Sequence, residues 1–552
     1  MPVTDPAPVV TRLPGGEFFR RWWVPAALAL ILAFAAFVRL RLLDLPLERD
    51  EGEYAYAGQL MLQGIPPYKL AYNMKLPGTY AAYAGIMAVF GETTRGIHLG
   101  LILVNSITIL LVYFLGRRLF GQICGVIAAA CFALLSLSHS VLGLAAHATH
   151  FVTLFAVAGA LLLWRLLERD RGSLAFWSGL CFGLAFVMKQ PGIFFGVFGG
   201  LMLLYHEWRR QPRDLRRLLQ RSALFSAGMC LPLLTACAAL AAAGVFSRFW
   251  FWTFSYARQY AAITPLTRGW TNFTFRSWRV VQAAPLIWVL GCIGLTFLLW
   301  SERDRRKVIF LSGFLVASFA AVCPGLYFRE HYFITLLPAI AILAGLFTQI
   351  VFDAMCDRAW DKRWLIIPFA VSFLAAADAI VRHRAPFFQV TPDVAARAIY
   401  SVNPFAEARE ISRYIREHST RDARIAVLGS EPEIYFYTRL HSVTGYIYTY
   451  PLMELHPYAL TMQQEMIAEI EKANPDYVVQ VNVPFSWLPK PSSPDLILRW
   501  SERYAREHLE QVGFADILSL TNTEYHLGDW EGKYSHPQSL YSVTLYQRKI
   551  TP

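Results

Sequence analysis

Long apolar runs separated by short polar loops fill the first 381 residues, and the pattern then changes to short alternating segments. A hydrocarbon core of about 30 Å needs about 20 apolar residues per helix, and by that measure the chain carries about eleven spans. They are expected at 22–40, 95–115, 121–138, 146–165, 173–189, 190–206, 222–245, 285–301, 307–324, 332–352 and 364–381. Residues 78–90 are apolar but short, which predicts a helix lying at the interface. In the loop after the first span, Tyr54, Ala57, Gly58, Met61 and Leu62 recur at helical spacing, and Gly64 with Pro66-Pro67 ends that helix. Asp50 precedes it, where an N-cap carboxylate would sit.

Beyond residue 382 the periodicity predicts helices at 404–418, 459–473 and 494–511 and strands at 424–429, 476–481, 514–519 and 541–548. Such alternation argues an α/β layer domain. The expected organisation is an N-terminal segment 1–21 (Pro- and Gly-rich, unstructured through residue 16), a membrane domain 22–381 with an outer loop 44–94, and an α/β domain 382–552. Gly429 has no glycine-rich phosphate motif around it, so no nucleotide site is expected.

Composition agrees with a polytopic membrane protein. Hydrophobic residues make up 55% of the chain and charged residues only 16%, against about 25% in soluble domains. The net charge of +12 does not point to nucleic acid, because the basic residues sit in short clusters between apolar runs. Arg20-Arg21, Arg117-Arg118, Arg165 to Arg171, Arg209 to Arg221, Arg303 to Lys307 and Arg358 to Arg363 form one alternating set of loops. The positive-inside rule makes that set cytoplasmic and puts the N-terminus inside. The Asp50 loop, the 246–284 loop, the Phe328–His331 turn and the C-terminal domain are then outside. Arg39 and Arg41 break the pattern, either snorkelling to the interface or meeting an anionic headgroup. The apolar run after Arg21 reads as an anchor, not a cleaved signal. None of the eight cysteines follows residue 356 and no CxxC spacing occurs, so they read as packing residues.

The charges of the first outer loop carry the chemistry. Glu48-Arg49-Asp50-Glu51-Gly52-Glu53-Tyr54 and Met74-Lys75-Leu76-Pro77-Gly78 place carboxylates and a lysine beside a bilayer. A carboxylate can take a proton from an acceptor hydroxyl, and a lysine can hold a phosphate as a point charge. Together they suggest group transfer from a lipid phosphate. Lys189-Gln190-Pro191 is either a capped turn or a cation near that phosphate. Arg329-Glu330-His331-Tyr332 clusters basic, imidazole and phenol groups where a span begins. Trp250 to Tyr260 reads as an aromatic belt, with Arg258 inside it as a phosphate ligand. His147 and His150 are structural or metal-binding, and their spacing alone does not choose.

These residues resemble the GT-C glycosyltransferases that use polyprenyl-phosphate sugars, most closely the bacterial relatives of protein O-mannosyltransferases and of the lipid A aminoarabinose transferase (families 39 and 83). The resemblance rests on Arg49 to Tyr54, Gly64-Ile65-Pro66-Pro67-Tyr68, Lys75 to Gly78, Lys189-Gln190-Pro191, and His331-Tyr332 with Leu336-Leu337-Pro338, in that order across alternating spans. It implies a GT-C-type membrane protein of the bacterial cytoplasmic membrane with an extracytoplasmic C-terminal domain. It implies Asp50 as base or acceptor-positioning group with Glu51 as its companion. It implies Lys75, Arg258 and Tyr332 as ligands of the leaving phosphate, joined by His331, Lys189 and Arg329. Partners would be a polyprenyl-phosphate sugar, a lipid, glycan or protein acceptor and membrane lipids, in lipopolysaccharide or protein glycosylation. Where these families often carry an acidic residue, this chain has Ala146-His147-Ala148-Thr149-His150, which leaves the acceptor class and a divalent metal cofactor open. The rival readings are a flippase or transporter of lipid-linked glycans, and an oligosaccharyltransferase or glycan polymerase on the same membrane fold.

Overall fold

The computed structural model describes residues 14–300, 304–528 and 536–549. Residues 1–13 of the expected unstructured stretch, and Arg303 of the basic loops, lie outside the described residues, while residues 14–16 of that stretch are the first turn of a helix. The first half is built of α1 (Pro14–Arg41), α2 (Arg49–Leu62), α3 (Pro77–Phe90), α4 (Thr94–Phe120), α5 (Gln122–Ser136), α6 (Ala148–Arg169), α7 (Ser173–Met188), α8 (Ile193–Arg209) and α9 (Leu215–Ala242).

Among the described residues, six helices are long and apolar enough to cross a bilayer by length and composition: Trp22–Arg41 within α1, α4, α6, α9, Leu337–Asp357 and Trp364–Arg382. The expected spans at 121–138, 173–189, 190–206, 285–301 and 307–324 are shorter helices, of 15, 16, 17, 16 and 16 residues. Leu266–Gln282 and Pro285–Trp300 meet at 105°, a sharp bend at the Ala283–Pro285 break. Arg39 is neither snorkelling nor free for a headgroup. It is buried and donates to the carbonyls of Gly143 (2.9 Å) and Ser136 (3.0 Å), stapling the C-terminal end of α1 to the loop after α5. Arg41 likewise donates to the Val390 carbonyl at 2.6 Å.

The C-terminal region forms a six-stranded mixed sheet of β1 (Arg424–Leu428), β2 (His441–Ser442), β3 (Tyr477–Asn482), β4 (Leu509–Ile517), β5 (Thr523–Leu527) and β6 (Ser542–Arg548), in the order β2-β1-β3-β6-β4-β5. β1 runs parallel to β2 and β3, and the other pairings are antiparallel. Residues Ile425 to Leu428 are all buried, which accounts for the unbroken apolar run of a strand covered on both faces. Helices Phe405–His418, Ala459–Ala473 and Leu496–His508 match the expected ones. β2 and β5 had no expectation. One is two residues long, and the other is a polar, half-exposed edge strand, so neither gives a period-2 signal.

This domain docks directly on α2. The Arg49 guanidinium donates to the Ser430 carbonyl (2.5 Å) and to the fully buried Glu431 carboxylate (2.7 Å). Tyr56 stacks on Tyr435 with ring centroids 5.1 Å apart, and its hydroxyl accepts from the Ser442 N–H at 2.8 Å. Gly52 makes the close approach possible, since a Cβ there would lie 2.5 Å from the Glu433 backbone nitrogen. The aromatic segment from Trp250 is not a membrane belt alone. A π-helical turn at Phe251–Tyr256 brings Trp252 and Tyr256 to one face, where both are buried against the C-terminal domain. Trp252 stacks on Tyr72 and meets Tyr446 edge-on.

Candidate active site

The first turn of α2 sets the site. Glu48, not Asp50, is the N-cap: its side chain accepts from the Glu51 N–H at 3.0 Å, and Glu51 answers by accepting from the Glu48 N–H at 3.3 Å. This capping box satisfies two otherwise orphaned donors. It also frees Asp50, two residues into the structure that Glu48 caps, to project from the helix. Glu51 is held elsewhere. It is fully buried and accepts from the Ala146 N–H (2.6 Å), with His98 at 3.2 Å. Expected beside Asp50 as its chemical companion, Glu51 is instead a strut that fixes the loop before α6.

Asp50 sits among cations and donors. Lys75 Nζ lies 3.4 Å from Oδ1, and the Tyr448 hydroxyl donates to the same oxygen at 3.0 Å. His147 Nδ1 and His331 Nε2 lie 3.7 and 3.9 Å from Oδ2. Burial pushes the Asp50 carboxyl up, but Lys75 and the two imidazoles outweigh it and hold it well below the usual carboxylate range. Burial likewise opposes the Lys75 ammonium, and Asp50 with Glu53 more than restores it, raising its pKa. The pair is only partly closed off, at 13% and 15% side-chain exposure, so both groups can still meet a ligand.

The Lys75 loop is pinned from three sides. Buried Glu53 accepts from the Tyr80 hydroxyl (2.5 Å) and from Asn73 Nδ2 (2.7 Å). Burial pushes Glu53 up to about 8, with Lys75 pulling it back. Gln190 Nε2 donates to the Met74 carbonyl at 2.6 Å, and the Tyr68 hydroxyl donates to the Lys75 carbonyl at 2.7 Å. Gly78 lets α3 abut the end of α7, since a Cβ would lie 2.5 Å from the Val187 carbonyl oxygen. Lys189 ends α7, buried, with its ammonium 4.0 Å above the Tyr332 ring. Glu330 is taken by Arg276 and Arg279, which leaves Arg329 to the cavity.

Asp50, Lys75, Arg329, His331 and Tyr332 line one cavity, together with Tyr256, Tyr260, Tyr448, Tyr450 and Glu454. Its free volume is about 50 Å³, so it is nearly closed by its own side chains. Among the described residues, neither Arg329 nor Lys189 has a carboxylate partner. Arg258 is exposed and is not among the lining residues; the π-helical turn points Tyr256 and Tyr260 inward in its place. His331 is buried and stacks face to face on His147, centroids 4.1 Å apart, and both His147 nitrogens lack a hydrogen-bond partner among the described residues. Asp50, His147 and His331 offer three ligand atoms within 4.8 Å of one another. Such an imidazole–carboxylate set could hold a divalent cation of the zinc type.

Beside this polar cavity lies an apolar groove of about 1110 Å³ between α3, α4, α6, α7 and α9. Pro77, Gly78, Val187 and Met188 line one part of it. Those residues lie within three positions of Lys75 or Lys189 in the chain, so groove and cations adjoin.

The family model described as dolichyl-phosphate-mannose-protein mannosyltransferase matches residues 75–235. The undecaprenyl phosphate-α-4-amino-4-deoxy-L-arabinose arabinosyl transferase of Pseudomonas aeruginosa is 28% identical over 318 residues, 54% of this chain and 54% of that protein. The chain thus spans about half the length of the curated relatives it matches. The oligosaccharyltransferase of Archaeoglobus fulgidus superposes with a TM-score of 0.57 at 14% identity, over 97% of this chain and 77% of that one. ArnT from Cupriavidus metallidurans bound to undecaprenyl phosphate superposes at 0.56 and 15% identity, over 94% and 97%. The chain shares the fold of these two proteins.

Within this fold the C-terminal domain supplies part of the candidate site, which the sequence did not foretell. Tyr448, Tyr450 and Glu454 come from a turn region between β2 and the helix Ala459–Ala473, about 400 residues from Asp50 in the chain. Only Tyr446, Tyr448 and Tyr450 at alternating positions marked the stretch as unusual.

Proposed function

We propose that this protein transfers a sugar from a polyprenyl-phosphate donor to a hydroxyl group on a lipid, glycan or protein acceptor. The observation that carries this reading is the junction of groove and cavity: an apolar groove adjoins Lys75 and Lys189, and Arg329 and Lys189 lack carboxylate partners among the described residues. A polyprenyl tail would fill the groove and its phosphate would supply the missing anion. The arabinosyl and mannosyl transferases named above and the undecaprenyl phosphate bound in the ArnT structure support the same donor class.

In the reaction, the acceptor oxygen forms a bond to the anomeric carbon while the carbon–oxygen bond to phosphate breaks. The phosphate leaves with the electron pair. Lys75, Arg329 and Tyr332 face that developing charge in a site already organised to receive it. Asp50, kept ionised, orients the acceptor hydroxyl and takes its proton as the new bond forms. The same reading keeps the sequence-derived layout: about eleven spans, N-terminus in the cytoplasm, and active site and C-terminal domain outside the cytoplasmic membrane. It divides the chain into the segment 1–21, the membrane domain 22–381 and the outer domain 382–552.

Lys75→Ala should weaken binding of undecaprenyl phosphate in nanodiscs by about 10- to 100-fold, the value of a charge-assisted hydrogen bond. Equal affinity for wild type and variant would remove Lys75 from the donor site. For orientation, single cysteines at exposed Lys472 and Arg213 in a cysteine-free background distinguish the two faces. An impermeant maleimide should label the first from outside intact cells and the second only after lysis. Labelling of Lys472→Cys only after lysis would place the site on the wrong face.

A further inference from the structure

The wall that the C-terminal domain contributes to the cavity carries a second carboxylate. Glu454 follows the short helix Tyr450–Met453 and lines the same cavity as Asp50, Lys75 and Arg329. The Tyr256 hydroxyl donates to its Oε2 at 2.5 Å. Oε1 has no hydrogen-bond partner among the described residues.

Tyr256 is itself immobilised. It is 1% exposed and packs edge-on against Trp252 (5.1 Å) and His456 (5.2 Å). The carboxylate is therefore aimed by a rigid partner while half of its accepting capacity stays unused. The residue is half-buried at the cavity wall, so that oxygen stays open to a donor group brought by a ligand. Burial pushes the Glu454 carboxyl up to about 7, against the pull of Tyr256, Arg329 and Lys490, and in its charged form it repels a phosphate. The phosphate has its cations, Lys75 and Lys189, on the membrane wall. What remains for Glu454 is the hydrogen-bond-donating part of the donor.

We infer that Glu454 reads the donor's sugar, its free oxygen accepting a hydrogen bond from a sugar hydroxyl or ammonium group. The inference rests on the polyprenyl-phosphate reading above and adds the residue that discriminates one sugar from another. Carboxylates suit this task because a site built to pair a sugar's donor group rejects an analogue that lacks it.

The test compares three lipids on the full-length protein in nanodiscs: bare undecaprenyl phosphate, undecaprenyl phosphate-4-amino-4-deoxy-L-arabinose and a polyprenyl phosphate mannose. Wild type should bind at least one sugar-bearing lipid more tightly than the bare one. Glu454→Ala should weaken that lipid by about 10- to 100-fold, as for loss of a charge-assisted hydrogen bond, and leave bare undecaprenyl phosphate unchanged. Retained binding of the bare lipid also certifies the fold of the variant. Tyr256→Phe, which keeps the carboxylate but removes its guide, should shift the same lipid in the same direction by less. Equal weakening of all lipids, or of none, overturns the role of Glu454, as does a wild type that gains nothing from either sugar. A wild type that binds no polyprenyl phosphate fails the donor reading itself, a distinct result.

Discussion

Asp50→Asn should cut sugar transfer by about 10²- to 10⁴-fold, the usual contribution of a positioned acid–base group, while undecaprenyl phosphate still binds. The substitution keeps the volume and the hydrogen bond from Tyr448, whose hydroxyl lies 3.0 Å from Oδ1. It removes the charge that Lys75, His147 and His331 hold in place. The helix does not depend on it, because Glu48 and Glu51 form the cap. The fold and the donor cations should therefore survive, and the loss should fall on turnover. Measuring transfer and lipid binding on the same preparation separates the two. Activity within about threefold of wild type, far inside the expected range, would leave Asp50 as a counter-ion to Lys75 and nothing more.

Arg49→Met should destabilise the protein by about 3–5 kcal/mol, the cost of removing one partner from a buried ion pair. Methionine fills much of the space between the Phe405 and Tyr450 rings, which the guanidinium now meets at 5.3 and 5.4 Å. It leaves Glu431, fully buried, without its counter-charge. The pair joins α2 to the C-terminal domain, so its loss should also loosen the wall that carries Tyr448 and Glu454, and transfer should fall with stability. Thermal unfolding in detergent gives the first readout. The double variant Arg49→Met with Glu431→Gln should recover part of the loss, because the stranded charge is gone. An unchanged melting temperature in Arg49→Met would mean that the domain is held by its aromatic contacts alone.

The parts of this molecule legible in its sequence are those with a local signature. The polytopic helical class follows from apolar runs that have no other explanation. The helices at 405–418 and 459–473 follow from a clear 3.6-residue period, and β1 and β3 from short apolar runs between turns. Asp50, Lys75, His331 and Tyr332, each singled out from polar motifs between apolar runs, line one cavity. Lys189 stands just behind, over the Tyr332 ring.

What the sequence hid depends on contacts far apart in the chain. Glu51 looks like a catalytic carboxylate until its partners, the Ala146 N–H and His98, are in place. Arg258 looks like a phosphate ligand inside an aromatic run, but a π-helical turn shifts the phase of that run and carries Tyr256 and Tyr260 inward instead. Gly52 gives no sign in the sequence of the Glu433 backbone that packs against it. Tyr448 and Glu454 belong to another domain, and no spacing in the chain relates them to Asp50.

The central claim is that a lipid phosphate leaves as the sugar moves. The most direct measurement follows both halves of the donor. Undecaprenyl phosphate carrying a labelled sugar is supplied to the protein in sealed vesicles with an envelope lipid and glycan extract as acceptor, and the products are resolved by mass spectrometry. Bare undecaprenyl phosphate and a glycosylated acceptor should appear together in equal amounts with wild type, and neither with Asp50→Asn. Donor recovered intact on the opposite leaflet, with its sugar still attached, would contradict it and identify the protein as a lipid transporter.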